Sequence, residues 1–214
     1  MPESDGICGN AKEDFMKAAV FADRDGTLIE EMHYISEVKD VRLIKGVASG
    51  VAALNRAGMP LVIVSNQAGV ARGMFSENVV MKINRRVLQL LEHEGARADA
   101  VYYCPHHPEL GKGRYLCECR CRKPGPGMVE AAAADLGIDI PASFVVGDKI
   151  SDVELAASAG CRGSVLVLTG YGKEHSKLID DCSCKPDFVA EDFGAAAEWI
   201  LKTVKKNHFA IKVR

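Results

Sequence analysis

Short apolar runs, each stopping at a polar cluster and separated by helix-like stretches, constrain this chain more than any other feature. Ala18 to Ala22, Leu61 to Val64, Val101 to Tyr103, Ser143 to Val146 and Val165 to Leu168 have the length of buried strands, and Phe188-Val189 is a sixth candidate. Between them, Gly46 to Ala57 carries Val47, Val51 and Leu54 at helical spacing and is stopped by Gly58. Ser76 is placed to cap a helix from Glu77 to about Glu94, closed by Gly95. Pro126 opens a helix through Ala134 that ends near Gly137. Another begins at Ser151 or Asp152, and a last runs from about Asp192 to Val204. The alternation predicts an α/β fold with a Rossmann-like, doubly wound parallel sheet covered by helices on both faces.

The 214 residues favour one large domain. The polar residues 1–17 read as an N-terminal extension, 18–206 as a single domain and the basic 207–214 as a C-terminal tail. A formal charge of −2 provides no basic stripe, which argues against a nucleic acid partner. No apolar run reaches the roughly 18 residues that cross a membrane, and the start lacks the regions of a signal peptide. A cytoplasmic monomer acting on a small molecule is the expectation.

In open parallel sheets, ligands bind beyond the carboxyl ends of the strands. Three of the runs end there in polar clusters: Asp23-Arg24-Asp25-Gly26-Thr27, Ser65-Asn66-Gln67, and Gly147-Asp148-Lys149-Ile150-Ser151-Asp152. Asp23 and Asp25, two apart on extended backbone, point to the same side. Two anions so placed need a cation or a proton between them, and Asp148 adds a third carboxylate. Oxygen ligands beside a phosphate suit magnesium. Gly26 lets the chain leave the strand sharply, and Thr27 offers a hydroxyl to the loop or the substrate. An isolated Asp-x-Asp more often caps a helix or sits in a turn. Its coincidence with Ser65, Lys123 and Asp148 at matching strand ends and loops argues for a site.

Four of the eight cysteines fall between Cys104 and Cys121. Cys104-x-His106 followed by Cys117-x-Cys119-x-Cys121 supplies the soft ligands of tetrahedral zinc. A site filled by four protein ligands has a structural role, here pinning the loop 104–121 that leads into Arg122 and Lys123. Reduced, partly buried thiols are the competing reading. Cys161 reads as core, and Cys8, Cys182 and Cys184 have no evident partner.

Taken together these residues resemble the haloacid dehalogenase superfamily of phosphotransferases. Asp23 to Thr27 match its first motif, Ser65 the second, Lys123 the third and Gly147 to Asp152 the fourth, in order. The longer match, from about residue 19 to 171, is similar to the capless branch that includes heptose bisphosphate and histidinol phosphatases. It is carried by Ser65-Asn66-Gln67, Gly69 to Gly73, Cys104-Pro105-His106-His107-Pro108, Cys119-x-Cys121-Arg122-Lys123-Pro124 and Gly147-Asp148-Lys149. Leu28 to Pro60 is too short for a large cap domain.

The resemblance implies that Asp23 is the nucleophile and becomes an aspartyl phosphate, while Asp25 acts as acid and then base. Magnesium would be held by Asp23, the backbone carbonyl of Asp25, and Asp148. Lys123 and Ser65 would stabilise the phosphate, and Asp152 would orient Lys123 or the metal shell. Asn66, Gln67, Arg72, Arg122 and Lys149 are candidates for the rest of the substrate, although Arg72 reads equally as a solvated charge. The family's Cys-x-Cys-Arg-Lys pattern selects Cys119 and Cys121, with Cys104 and His106, as the zinc ligands. Cys117 is an extra cysteine and His107 the weaker histidine. Glycine is expected before Tyr34, so His33 is a departure, read here as surface. A heptose bisphosphate is the first substrate expectation and histidinol phosphate the second. A non-catalytic, zinc-stabilised binding module is the competing class.

Overall fold

The computed structural model describes residues 16–211, with side chains described as far as Lys205. Cys8 and nearly all of the expected 1–17 extension lie outside them. Six strands form one sheet: β1 (Val20–Ala22), β2 (Leu61–Asn66), β3 (Ala100–Cys104), β4 (Phe144–Gly147), β5 (Gly163–Val167) and β6 (Phe188–Ala190). Their order is β3-β2-β1-β4-β5-β6, and every neighbouring pair is parallel. Phe21 pairs with Val62 on one side and Val145 on the other, so β1 is central. The helices are α1 (Val47–Arg56), α2 (Ala68–Ala71), α3 (Glu77–His93), α4 (Gly127–Leu136), α5 (Ile150–Ala159), α6 (Gly172–His175) and α7 (Phe193–Ile211).

Side chains alternate across a strand, so the apolar runs feed two cores at once. Val20, Ala22, Leu61, Ile63, Phe144, Val146, Val165 and Val167 pack against Val51 and Leu54 of α1, Ile83 and Val87 of α3, and Phe193 and Ile200 of α7. Phe21, Val62, Val64 and Val145 face the other way, onto Met128, Val129 and Ala132 of α4 and Leu155 of α5. The partly buried Cys161 packs on this second core and Trp199 on the first. Phe144 meets Trp199 edge-on, and Phe188 stacks on it at 5.3 Å.

Several boundaries differ from expectation, each for a local reason. β5 begins at Gly163, paired to Phe144. It stops before Leu168, whose N–H donates instead to the Ala190 carbonyl at 2.8 Å. α5 begins at Ile150, before Ser151, because the Asp152 carboxylate accepts the Lys149 N–H at 3.1 Å and fixes the first turn there. Ser76 does precede α3, but its hydroxyl makes no capping bond. α7 continues past Val204 to Ile211. Gly137 ends α4 in the left-handed conformation, as its position suggests.

Between β1 and α1 the described chain carries only a 3-10 turn at Val38–Asp40 and isolated bridges, so no cap domain sits there. Among the described residues, no helix is long and apolar enough to cross a membrane.

Candidate active site

Strand order reverses between β1 and β4, and a crevice opens where adjacent strands send their connections to opposite faces. Asp23 leaves the end of β1, its N–H donating to the Val146 carbonyl of β4 at 2.9 Å. Asp148 follows β4 and is fully buried, while Asp23 is 4% exposed. The chain after Asp23 turns at Gly26, with φ of 83°, and the Gly26 N–H donates to Ile29 at 2.8 Å. A Cβ on Gly26 or on Gly170 would collide with the Asp148 carboxylate, so these two glycines let the backbone close around it. The Tyr171 N–H completes the cradle, donating to Asp148 Oδ2 at 2.9 Å.

Lys123 reaches into this crevice from the cysteine loop. Its ammonium lies 2.7 Å from Asp23 Oδ1, 2.7 Å from Asp152 Oδ1 and 3.0 Å from the Val64 carbonyl. Lys149 Nζ lies 3.2 Å from Asp148 Oδ1, 4.0 Å from Asp23 Oδ2 and 3.9 Å from Glu31. Burial opposes ionisation of Asp23, but Lys123 and then Lys149 outweigh it and hold the carboxyl below the ordinary range. Asp148 goes the other way: burial first, and the charge of Asp23 second, push it up to about 7. Burial also raises Asp152. For both lysines burial favours the neutral amine and the surrounding carboxylates outweigh it, so both are raised.

The Asp25 carboxylate lines the same cavity but is held by other partners. Arg24 grips it through Nε and Nη2, each at 3.1 Å, and the Arg24 Nη1 donates to Asn84 of α3 at 2.6 Å. Gln67 Nε2 donates to Asp25 Oδ2 at 2.9 Å, and the Ser65 hydroxyl lies 3.4 Å from the same oxygen. Gln67 Nε2 is also 2.7 Å from Ser65 Oγ. Asn66 makes a two-bond clip on the Lys123 backbone: Lys123 N–H donates to Oδ1 at 3.0 Å and Nδ2 donates to the Lys123 carbonyl at 3.1 Å. Asn66 and Gln67, assigned to the substrate by sequence, thus bond to site residues while also lining the cavity. Thr27 is fully buried, and its hydroxyl has no protein partner among the described residues.

Above the carboxylates lies a cavity of about 590 Å³. Arg72 and Arg122 line it, and no carboxylate pairs with either among the described residues. Arg122 Nη1 donates to the His106 carbonyl at 3.1 Å, and Arg72 Nη1 to the Tyr34 hydroxyl at 2.6 Å. His33, expected at the surface, is exposed but also lines the cavity, with Nδ1 2.8 Å from the Tyr171 hydroxyl. Its φ is 57°, so a non-glycine residue holds the left-handed conformation where glycine was expected. Glu31, Tyr171 and His175 also line the cavity and were missed by sequence reasoning. Tyr171 carried a usable signal, since it follows the Thr169-Gly170 end of β5. Nothing in the local sequence marks His175.

Two clusters have the donor chemistry of metal sites. Oxygens of Asp23, Asp148 and Asp152 lie within 4.8 Å of one another. Lys123 bridges Asp23 and Asp152, and the Asp152 carboxylate also accepts the Lys149 N–H, so Asp152 is committed to protein partners on both oxygens. Five carboxylates (Asp23, Asp25, Glu31, Asp148, Asp152) meet three cations (Arg24, Lys123, Lys149). A phosphate added to that set needs a further positive charge, which a divalent ion supplies. Cys104, His106 and Cys119 form the second cluster. Cys104 Sγ and His106 Nδ1 are 3.6 Å apart. Bonds of about 2.3 and 2.05 Å at a tetrahedral angle predict about 3.6 Å between such ligands. Cys119 interacts with Cys121 as well as Cys104, and burial raises both Cys104, to about 12, and Cys121. Cys117 is exposed and turns toward the Arg114 carbonyl, away from the cluster. His107 Nδ1 accepts the Glu109 and Leu110 N–H groups at 3.1 and 3.0 Å, which commits it to the turn.

Comparison with known proteins agrees with this geometry. A family model described as HAD-hydrolase-like matches residues 120–196. The D-glycero-D-manno-heptose-1,7-bisphosphate 7-phosphatase of Thermosynechococcus vestitus is 44% identical over 188 residues, spanning 86% of this chain and 95% of that one. The D-glycero-beta-D-manno-heptose-1,7-bisphosphate 7-phosphatase of Yersinia pestis is 38% identical over 92% of this chain and 96% of its own. The crystal structure of D,D-heptose 1,7-bisphosphate phosphatase from B. bronchiseptica, complexed with magnesium and phosphate, superposes with a TM-score of 0.75. The two are 31% identical, and the match covers 88% of this chain and 99% of that one. Likeness of this depth, over nearly the whole length of those enzymes, makes this chain a member of the heptose bisphosphate phosphatase family of haloacid dehalogenase-like hydrolases.

Proposed function

We propose that this chain removes the 7-phosphate of D-glycero-D-manno-heptose 1,7-bisphosphate by way of an aspartyl phosphate on Asp23. The observation that carries the reading is the state of Asp23. One of its oxygens is held by Lys123 at 2.7 Å, and the carboxyl is kept ionised inside a buried site that opens on the cavity. An ionised, oriented and largely desolvated carboxylate is a competent nucleophile toward phosphorus. A binding module would have no use for such a group.

Asp23 attacks phosphorus and the bond to the ester oxygen breaks, while Asp25 gives a proton to the departing alkoxide. Water then attacks the aspartyl phosphate, Asp25 takes its proton, and phosphate leaves with Asp23 restored. Arg24, Gln67 and Ser65 fix the orientation of Asp25 for both transfers. Lys123 and Lys149 lie beside the Asp23 carboxylate, where they would stabilise the oxygens of the phosphoryl group that Asp23 receives. Magnesium, held by Asp23, the Asp25 carbonyl and Asp148, would neutralise the phosphoryl oxygens. Zinc on Cys104, His106, Cys119 and Cys121 would hold the loop that carries Arg122 and Lys123 in place.

Arg72 and Arg122 support a substrate with a second anionic group, since both guanidinium groups line the cavity without a protein carboxylate. The same two charges work against histidinol phosphate, which carries an ammonium. The test is phosphate release, measured side by side, from both anomers of the heptose bisphosphate and from histidinol phosphate. Wild type is expected to prefer a heptose anomer, and Asp23→Asn to lose on the order of 10³-fold or more in kcat. Equal, slow rates on all three compounds would reject the sugar, and turnover by Asp23→Asn would reject the mechanism.

A further inference from the structure

His175 ends the short helix α6 and is half-buried at the edge of the cavity. Its Nδ1 accepts the N–H of Ile150, the first residue of α5, at 3.2 Å. That N–H is one of the donors a helix start leaves without an intrahelical partner. Accepting it requires a lone pair on Nδ1, so the ring is neutral and its proton sits on Nε2. Burial, with the nearby Lys149 charge, also favours the neutral ring. Nδ1 is therefore committed to α5, and the opposite edge of the ring carries one N–H. None of the described side-chain hydrogen bonds uses Nε2. The same part of the cavity contains Lys149 and Ser151, and Lys149 lies 4.0 Å from Asp23.

We propose that His175 Nε2–H is a specificity-determining donor to a hydroxyl of the carbon chain that bears the scissile phosphate. A neutral donor suits an uncharged alcohol oxygen. A second phosphate would be drawn to Arg72 and Arg122, which are permanent cations. The Nδ1 bond to Ile150 gives the ring a fixed direction, because α5 is anchored by the Asp152 carboxylate at Lys149 N–H. His175 therefore reads the polyol, while Lys123 and Lys149 read the phosphate. This assignment rests on the proposed sugar phosphate substrate and narrows it to compounds with a hydroxyl near the phosphate.

Two variants separate recognition from capping. His175→Asn keeps an oxygen near the position of Nδ1 for the Ile150 N–H and loses the distal donor. His175→Gln places an amide N–H near the position of Nε2. Each is assayed in the magnesium-loaded protein on heptose bisphosphate, on sorbitol 6-phosphate and on p-nitrophenyl phosphate, which has no hydroxyl chain. The expected result is a fall of about three- to ten-fold in the ratio of polyol phosphate to p-nitrophenyl phosphate kcat/KM for His175→Asn, the range one hydrogen bond gives. KM should change more than kcat, and His175→Gln should recover part of the ratio. An unchanged ratio on both polyol phosphates would overturn the assignment, since a cap alone would lower all three rates together. Wild-type hydrolysis of sorbitol 6-phosphate but not the heptose compound would overturn the heptose reading while leaving His175 to be judged on sorbitol 6-phosphate. Hydrolysis of neither would overturn both.

Discussion

A lysine held between two buried carboxylates and a main-chain carbonyl has no water shell, so removing it leaves those groups uncompensated. Lys123 is in that position, 3% exposed and bridging Asp23 to Asp152. Lys123→Met should destabilise the metal-free protein by about 3–5 kcal/mol, the range for breaking a buried pair. Lys123→Met/Asp152→Asn should recover a large part, because it removes one of the stranded charges. Urea unfolding of the four-member cycle measures both terms. A loss below about 1 kcal/mol would mean that water enters to solvate the pair. Asp23 and Asp148 were legible in sequence because strand ends in a parallel sheet converge, and Lys123, which comes from the cysteine loop, was legible through the family resemblance. What Asn66 and Gln67 bond to was not. Placing a residue at a strand end fixes its position, but the backbone it clips, at Lys123, comes from a loop 57 residues away. His175 was invisible for the same reason, since its partner Ile150 is met only after α5 and α6 have packed.

At the scale of elements, the cysteine loop is tied down twice. One tie would be a metal ion held by the Cys104, His106 and Cys119 cluster. The other is Glu77, at the start of α3, whose carboxylate accepts the Tyr115 hydroxyl at 2.6 Å, the Tyr103 hydroxyl at 2.9 Å and Arg114 Nη2 at 3.2 Å. The Tyr115 and Tyr103 bonds, then Arg114, outweigh burial and hold Glu77 below its ordinary value of 4.5. A depressed carboxyl pKa contributes stability that is fully present above the unfolded value and lost as pH falls through the folded one. Glu77→Gln should therefore lower Tm near pH 6 and flatten its decline between about pH 5 and 3. Parallel melting curves for wild type and variant across that range would remove Glu77 from the account.

The metal tie predicts a different signature. Stripping the soft-metal site with a thiol-competitive chelator should open 104–121 to protease while leaving the Glu77 end protected. Phosphate release should fall with it, because Arg122 bonds to the His106 carbonyl and Lys123 follows directly. Cleavage that starts near Tyr115 would reverse the order of the two ties. The cysteine and histidine spacing led to the expectation of a metal loop, and the family resemblance, not the spacing, singled out Cys117 as the extra cysteine. Cys117 follows the His107–Leu116 bridge and turns its sulfur to the Arg114 carbonyl, while Cys119, two residues on, joins Cys104 and His106.

For the whole molecule, strand order decides how the site depends on the fold. β1 and β4 are neighbours at the centre of the sheet, and each reactive carboxylate follows one of them. Alternation of apolar runs made the parallel sheet and its two covered faces legible, while the order β3-β2-β1-β4-β5-β6 emerges only from pairing. α7 closes the first core at a distance in sequence, where Trp199 packs between Phe144 of β4 and Phe188 of β6. Trp199 is the single tryptophan of the chain, so its fluorescence reports the packing of that core. The strand that carries Phe144 ends at Gly147, immediately before Asp148. Loss of the Trp199 environment and loss of the Asp23–Asp148 geometry are therefore one event in a sheet with no hinge between them. In urea, the fluorescence midpoint and the midpoint for phosphate release should coincide in the fully metal-loaded protein. After removal of the soft metal alone, activity should vanish at low urea while the Trp199 transition stays cooperative, because 104–121 lies outside both cores except for the small contributions of Cys104, Cys119 and Cys121. A fluorescence transition that broadens or splits on metal removal would show instead that the loop is part of the cooperative unit, and that α7 and the cysteine cluster stabilise one another through the sheet.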